Sequence, residues 1–379
     1  MRLSVCMIVG QKTGQLPRAL ASVSGIADEI VIAATAVLDF LQYIKPVPLL
    51  KSFEFPWRED FSAARNATFG RASGDWIFWL DADEWLDSGS SAALAHCLGN
   101  SNVLSWLCDI TDVSGPEGIP KFSPTPLPRI FRAGPDIRLT GRVHEHFVPP
   151  LEATAARLGL EIRRANIRIF HDGYNTADES DKLRRNIRLM EMELADRPGQ
   201  LFYQIRLSQA LLKMGDSRSG TYLLQAWEQV LGQVRQATPP AEPMVGPLLD
   251  SILVRQSRGE FDSGLPLEHL HQIAARWFPR WPPLLWRRAN WQFKQGRLAE
   301  AAGTLENILR LAADGNWQPI PSFESGILGG QTLLDLGICY VHLGKMDAAQ
   351  QSFQAAAKDP QWAQAAAQNL ATIAGKRGG

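Results

Sequence analysis

The stretch Trp76-Ile77-Phe78-Trp79-Leu80-Asp81-Ala82-Asp83-Glu84 decides the reading of this chain. Its apolar half reads as a buried strand that stops abruptly at three acids within four residues. Carboxylates at the carboxyl end of such a strand stand at the mouth of an open α/β sheet, where these folds bind ligands. Burying three acids together without a counter-charge is costly. A divalent cation removes that cost. Hard oxygen ligands suit Mg²⁺ or Mn²⁺, ions that usually accompany a phosphate-bearing substrate. The competing reading is a strand followed by a solvated acidic turn.

Upstream of this stretch, strands alternate with helices. Leu3 to Val9 and Glu29 to Ala34 read as strands, and Gln15 to Val23 and Phe61 to Phe69 as helices, with Pro17 near a helix start where proline is tolerated. Ser73-Gly74-Asp75 is a turn into the strand Trp76 to Leu80. This alternation predicts a mostly parallel sheet. From Pro124 to His146 the chain is extended, and Ile162 to Phe170 is a further strand ending at His171.

After about residue 178 the pattern becomes helical, beginning with Lys182 to Leu194. Gly215, Gly296 and Gly344 each separate two helical patterns. Leu336-Gly337, Tyr340, Gly344, Ala349, Phe353 and Ala356 resemble a tetratricopeptide repeat, with small residues where two helices touch and aromatics between them. Leu285 to Leu309 and Leu201 to Trp227 are weaker copies; a plain helical bundle is the alternative. The predicted organisation is an α/β domain over 1–178, a helical repeat region over 179–374, and a tail over 375–379.

Composition sets bounds. A chain of 379 residues holds roughly two or three domains. It carries 39 Lys+Arg and 39 Asp+Glu, a balance that does not point to a nucleic-acid or anionic-membrane partner. The four cysteines form no Cys-x-x-Cys pair, which argues against a zinc site or disulfide framework and fits a reducing, cytoplasmic setting. The amino terminus is too short and lacks the cleavage pattern of a signal peptide, and no apolar run approaches transmembrane length. No Walker motif, His-Glu-x-x-His or Gly-x-Ser-x-Gly appears. A nucleotidyltransferase shares the carboxylate logic, but the glycine-rich phosphate loop it would use is missing after the first strand.

Phe55-Pro56-Trp57, Asp60-Phe61-Ser62-Ala63-Ala64-Arg65-Asn66, Gly74-Asp75-Trp76 and Leu80-Asp81-Ala82-Asp83-Glu84 together resemble glycosyltransferase family 2. Pro128-Arg129-Ile130-Phe131-Arg132, Gly141-Arg142-Val143-His144-Glu145 and His171-Asp172-Gly173-Tyr174 fit its later blocks, so the resemblance covers about residues 2 to 195. The chain is most similar to a bacterial branch with trailing tetratricopeptide repeats, which includes the peptide S-glycosyltransferases of glycocin biosynthesis. The resemblance implies a GT-A, Rossmann-like fold. It also implies metal-dependent, inverting transfer of a sugar from a nucleotide diphosphate sugar, a UDP-sugar first of all.

A metal at Asp81 and Asp83 would bridge the diphosphate oxygens and stabilise the leaving group. Asp83 is the firmer ligand; the alternatives for Asp81 are to face the ribose or to bind through water. By resemblance His171 adds a third ligand; otherwise it is a histidine satisfied in a turn. Inversion needs a base near the metal that is not itself a ligand. Glu145 stands where the fold usually places it; the alternative is a salt bridge to Arg142 or Arg129. Arg65 is a candidate partner for the acids or the diphosphate, with a structural pair to Asp83 as the alternative, and Arg129 and Arg132 are further diphosphate candidates. His144 and His146 read as support or acceptor contacts. Trp79 reads as core, and Trp85 as a ring that could stack on a sugar.

Two departures from the family concern the nucleoside. Gly10-Gln11-Lys12 replaces the usual Lys-Asn-Glu, and Ala34-Thr35-Ala36-Val37-Leu38-Asp39 replaces an Asp-Thr-Gly-Ser-x-Asp run. Asp39 is the acid left to contact the donor there. These departures keep a second expectation open, a non-catalytic scaffold that binds through its helical repeats. The acceptor is expected to be a peptide, protein or glycan, and the helices could also recruit a second copy or a protein partner.

Overall fold

The computed structural model describes residues 1–10, 14–36, 50–113, 122–171, 179–236, 238–239, 242–318 and 322–377. It divides into two compact units, with Gly199 closing the first and Gln200 opening the main part of the second. The helix over 179–196, which the sequence reading assigns to the repeats, belongs to the first unit.

The first unit runs β1 (Leu3–Val9), α1 (Leu16–Val23), β2 (Glu29–Ala34), β3 (Leu50–Glu54), α2 (Phe61–Phe69), β4 (Trp76–Trp79), β5 (Glu84–Leu86), α3 (Ser91–Leu98), β6 (Val103–Asp112) and β7 (Thr125–Arg132). It continues through β8 (Arg138–Thr140), β9 (His146–Val148), α4 (Leu151–Leu158), β10 (Glu161–His171) and α5 (Glu179–Asp196). Eight strands form one sheet in the order β3-β2-β1-β4-β7-β6-β10-β5. β3, β2, β1 and β4 pair in parallel, as do β6 and β10, while β7 and β5 pair antiparallel. The expected Rossmann-like sheet is therefore present, with an antiparallel strand set into it.

The sheet separates two cores. Leu3, Val5, Met7 and Val9 of β1 join Leu16, Leu20 and Val23 of α1 on one face. Cys6, pointing the other way, joins Val31, Ile77, Phe131 and Leu151. This is the period-two alternation of a strand buried on both faces. Gly74 brings the turn before β4 hard against β1: a Cβ there would lie 2.6 Å from Ser4 Oγ and 2.9 Å from the Arg2 carbonyl.

The second unit contains α6 (Leu201–Lys213), α7 (Ser219–Arg235), α8 (Val245–Ser257), α9 (Leu267–Trp277), α10 (Pro282–Lys294), α11 (Leu298–Ala313), α12 (Gly330–His342), α13 (Met346–Ala356) and α14 (Ala363–Arg377). Gly215, Gly296 and Gly344 have φ of 69°, 73° and 72°, as the repeat reading requires. Each ends its helix with the same reach-back hydrogen bond, from Asp216 N to Leu211 O, Arg297 N to Gln292 O and Lys345 N to Tyr340 O. Gly259 repeats the device between α8 and α9, with Glu260 N donating to Arg255 O. Gly337 of α12 lies against the Phe353 ring of α13, where a Cβ would approach to 2.4 Å. These are tetratricopeptide-like helix pairs. The residues expected as a tail are helical through Arg377.

Candidate active site

β4 delivers its acids in the turn that follows it. The strand ends at Trp79, Asp81-Ala82-Asp83 make the turn, and Glu84 opens β5, opposite His171 of β10. β5 is a three-residue strand that the acidic cluster conceals in the sequence. Its pairing is what brings His171 to the acids.

Asp60 caps α2, its Oδ1 accepting from the Ala63 amide at 2.9 Å. The next turn of that helix presents Arg65. Its Nη1 donates to Asp81 Oδ1 at 2.5 Å, its Nη2 to Asp81 Oδ2 at 3.3 Å, and its Nε to Glu145 Oε1 at 2.8 Å. One guanidinium thus joins two carboxylates from separate segments, and its acid partner in the turn is Asp81, not Asp83. Arg129 of β7 holds Glu84, with Nη2 2.6 Å from Glu84 Oε1, and lies 3.9 Å from Asp81 Oδ2. Glu84 Oε2 accepts from the Asp81 amide at 3.0 Å.

Trp79 is more than core. Its ring lies 4.0 Å from the Arg65 guanidinium carbon and 4.5 Å from that of Arg129, and its Nε1 donates to Asp81 Oδ1 at 3.1 Å. It holds both cations over the turn. Trp85 is nearly buried and carries Arg18 on its ring at 3.4 Å, so that face is closed to a sugar.

The charges set one another. Burial alone would raise the Asp81 carboxyl pKa, but Arg65 and Arg129 hold it well below the ordinary carboxylate range. Burial raises that of Glu84, against the pull of Arg129 and with Asp81 adding to the rise. Burial opposes protonation of His171, yet Asp83, then Glu84 and Asp81, outweigh it and raise its pKa.

Asp83 and His171 face each other, Oδ2 to Nε2 at 3.6 Å, with side chains 36% and 29% exposed. A carboxylate and an imidazole open to water are donors of the kind that would suit a divalent ion. Asp81 is turned toward Arg65 instead, and among the described residues no group of three His, Cys, Asp or Glu is arranged around a common metal position.

The remaining expected residues divide. Glu145 and Arg129 are in the cluster. Arg132 is not: it pairs with Trp76 at the start of β4, the opposite end from the acids, and donates to the carbonyls of Val103, Asn100 and Ser101. His144 precedes β9 with φ 56°, so it and His146 do not share a strand face. Arg142 pairs with Asp196 at 2.6 Å rather than with Glu145. Asp39 lies outside the described residues. At the carboxyl end of β2, Ala34 is buried, and the Thr35 hydroxyl donates to the Val9 carbonyl at 3.2 Å.

Arg185 of α5 is missed by sequence reasoning. Its guanidinium carbon lies 5.1 Å from the Phe61 ring centroid. Burial lowers its pKa, opposed by the nearby charges of Asp83, Glu59 and Glu145. The signal was the arginine-rich start of α5, read as part of the repeats.

Fold and site together describe an α/β domain with a carboxylate-lined sheet mouth, followed by helical repeats. Residues 4–108 match the family model described as glycosyl transferase family 2, the family whose sequence blocks this part of the chain resembles. A TPR repeat-containing protein of Synechococcus elongatus is 28% identical over 294 residues, covering 72% of this chain and 69% of its own length. The prophage-derived glycosyltransferase SunS of Bacillus subtilis is 27% identical over 210 residues, covering 52% of this chain; the chain spans 47% of SunS. Among solved structures, S. aureus TarS 1–349 in complex with UDP-GlcNAc aligns with a TM-score of 0.38 at 15% identity, over 72% of this chain and 90% of that one. No helix among the described residues is long and apolar enough to cross a membrane.

Proposed function

We propose that the protein transfers a sugar, with inversion, from a nucleotide diphosphate sugar to a peptide, protein or glycan acceptor, and that a UDP-sugar is the donor. The observation that carries this reading is the Arg65 bridge: one guanidinium bonded to Asp81, within the residues that match the family 2 model, and to Glu145 beyond them. It sets a candidate base beside the acidic turn while leaving that base outside the Asp83–His171 pair.

In this reading Asp83 and His171 would hold Mn²⁺ or Mg²⁺, which would supply Lewis-acid stabilisation of the leaving diphosphate. Glu145 spends Oε1 on Arg65, and its Oε2 takes the acceptor proton as the nucleophile attacks the anomeric carbon. Arg65 fixes that carboxylate in place. Arg129 keeps Glu84 ionically paired and the turn rigid. Arg185, whose Nη2 donates to Asn186 Oδ1 at 3.1 Å, is a candidate cation for diphosphate oxygens, since Arg65 and Arg129 already serve carboxylates.

Calorimetric titration of UDP and GDP, with and without Mn²⁺, tests the donor half. Metal-dependent binding that vanishes in Asp83→Ala is the expected outcome; no nucleotide binding under any condition sinks the proposal. For the base, Glu145→Gln is expected to keep UDP affinity and to slow turnover of the donor about 10²- to 10⁴-fold. Turnover within a few-fold of the parent would remove Glu145 from the role.

A further inference from the structure

The second unit contains a pocket of about 100 Å³ walled by Asn290 and Phe293 of α10, Leu305 of α11, and Asp335, Ile338 and Cys339 of α12. Its size decides what kind of guest it takes. Sites for free-standing small molecules run to roughly 300–1,000 Å³. This pocket accommodates the end of one side chain whose parent molecule lies outside it. Apart from Asn290 and Asp335 the lining is apolar, and burial raises the Cys339 thiol pKa to about 11, so that wall is neutral as well.

The two polar walls offer acceptors. Asp335 Oδ2 accepts from Trp286 Nε1 at 2.7 Å, and no cation pairs with this carboxylate among the described residues. Asn290 donates its Nδ2 to the Trp286 carbonyl at 3.0 Å, which leaves its amide oxygen as an acceptor. Burial raises the Asp335 carboxyl pKa despite the indole bond, the signature of a carboxylate short of a counter-charge.

We propose that this pocket receives a lysine side chain of a polypeptide laid along the helical unit. The aliphatic stem packs on Phe293, Leu305 and Ile338, and the ammonium meets the oxygens of Asp335 and Asn290. A guanidinium brings five donors in a plane to only two acceptor groups and fits less well. An acidic side chain is rejected by like charge. The inference does not depend on sugar transfer by the first unit.

Trp286 is a built-in reporter because its indole N–H bonds Asp335 directly. In the full chain labelled with ¹⁵N-indole tryptophan, the Trp286 resonance is identified by its loss in Trp286→Phe. The probe is the capped pentapeptide Gly-Gly-Lys-Gly-Gly, compared with versions carrying norleucine, arginine or glutamate in place of lysine. The lysine peptide is expected to move the Trp286 resonance saturably, at least about tenfold more tightly than the norleucine peptide. Asp335→Asn, which retains an acceptor for the indole, is expected to erase that preference without moving the other indole resonances. Should that variant fail to fold, Asn290→Leu poses the question from the opposite wall and is expected to weaken lysine binding selectively. Equal binding of the norleucine peptide overturns the proposal, as does the absence of any shift. A lysine preference that survives in the folded variants overturns it too.

Discussion

In the first unit, Arg65, Arg129, Glu84 and Glu29 are all buried, and each meets an opposite charge: Asp81 and Glu145 for Arg65, Glu84 for Arg129, and Lys51 for Glu29. In the second unit, His271 and Asp335 are withdrawn from water with no opposite charge paired to them among the described residues. His271 stacks on Trp291 at 4.8 Å and its Nδ1 is buried without a hydrogen-bond partner. In the first unit the paired counter-charges outweigh burial at Asp81 and Glu29, while burial still prevails at Glu84. The second unit leaves His271 and Asp335 with burial disfavouring their charged forms and, among the described residues, no counter-charge to oppose it. Charge placed for chemistry has to be held by a counter-charge. Charge tolerated in a helical stack instead shifts its protonation or awaits a ligand.

The largest effect expected from this contrast is at Arg129. Arg129→Ala strands Glu84, only 3% exposed, and is expected to cost about 3–5 kcal/mol in urea unfolding, with Glu84→Gln restoring much of the loss in the double variant. A cost below about 1 kcal/mol would show that the pair does not matter to the fold.

Acid sharpens the comparison next. Burial, with Arg288 adding to it, lowers the His271 pKa to about 4. The unfolded chain therefore binds a proton near pH 6.5 that the folded unit refuses, so stability is complete above that pH and falls between about 6.5 and 4, by up to about 3 kcal/mol. Burial would raise Glu29, but bonds from Lys51, Ser4 and Ser73 outweigh it and hold its pKa at about 2. Its contribution is present above its unfolded value and disappears only as pH falls from about 4.5 toward 2. Hydrogen exchange at pH 5 is expected to report loosening of α9 and α10 before β1 and β2, and His271→Phe is expected to flatten that early phase.

A packing change then separates charge from shape. Gly337→Ala forces a Cβ against Phe353 and is expected to cost about 1–3 kcal/mol, read as a lower Tm of the helical unit with unchanged pH dependence. The smallest effect is expected at Arg164, whose pair with Asp109 is exposed. Arg164→Ala should change stability by less than about 1 kcal/mol in the same melts.

The strands legible in the sequence are β1, β2 and β4, with their dense apolar runs, and β10, where Ala165, Ile167 and Ile169 alternate with polar residues. β3 reads Leu-Lys-Ser-Phe-Glu and is partly exposed, so it lacks that signature. β5 is short and starts inside the acidic cluster. The helix pairs are legible because a left-handed turn asks for glycine and a close crossing asks for Gly337 against Phe353. At the site, Asp81, Asp83, Glu145, His171, Arg65 and Arg129 are recognisable as residue types at suggestive spacings. Their pairings are not, because whether Arg65 meets Asp81 or Asp83 depends on the geometry of a three-residue turn. Arg132 shows the same gap: three residues beyond Arg129 on β7, it faces the other end of β4.

The close approach of Gly74 to β1 bears on how relatives of this chain should be recognised. Gly74-Asp75-Trp76 sits at the start of β4, where the backbone leaves no room for a side chain and Asp75 Oδ2 accepts from the Arg2 amide at 2.7 Å. That block is a mark of architecture, readable in any descendant that still folds. Asp81-Ala82-Asp83, just beyond the far end of the same strand, is the block on which the proposed chemistry rests. A relative that keeps the first block and loses the second has inherited a shape; only one that keeps both is a candidate for the same work.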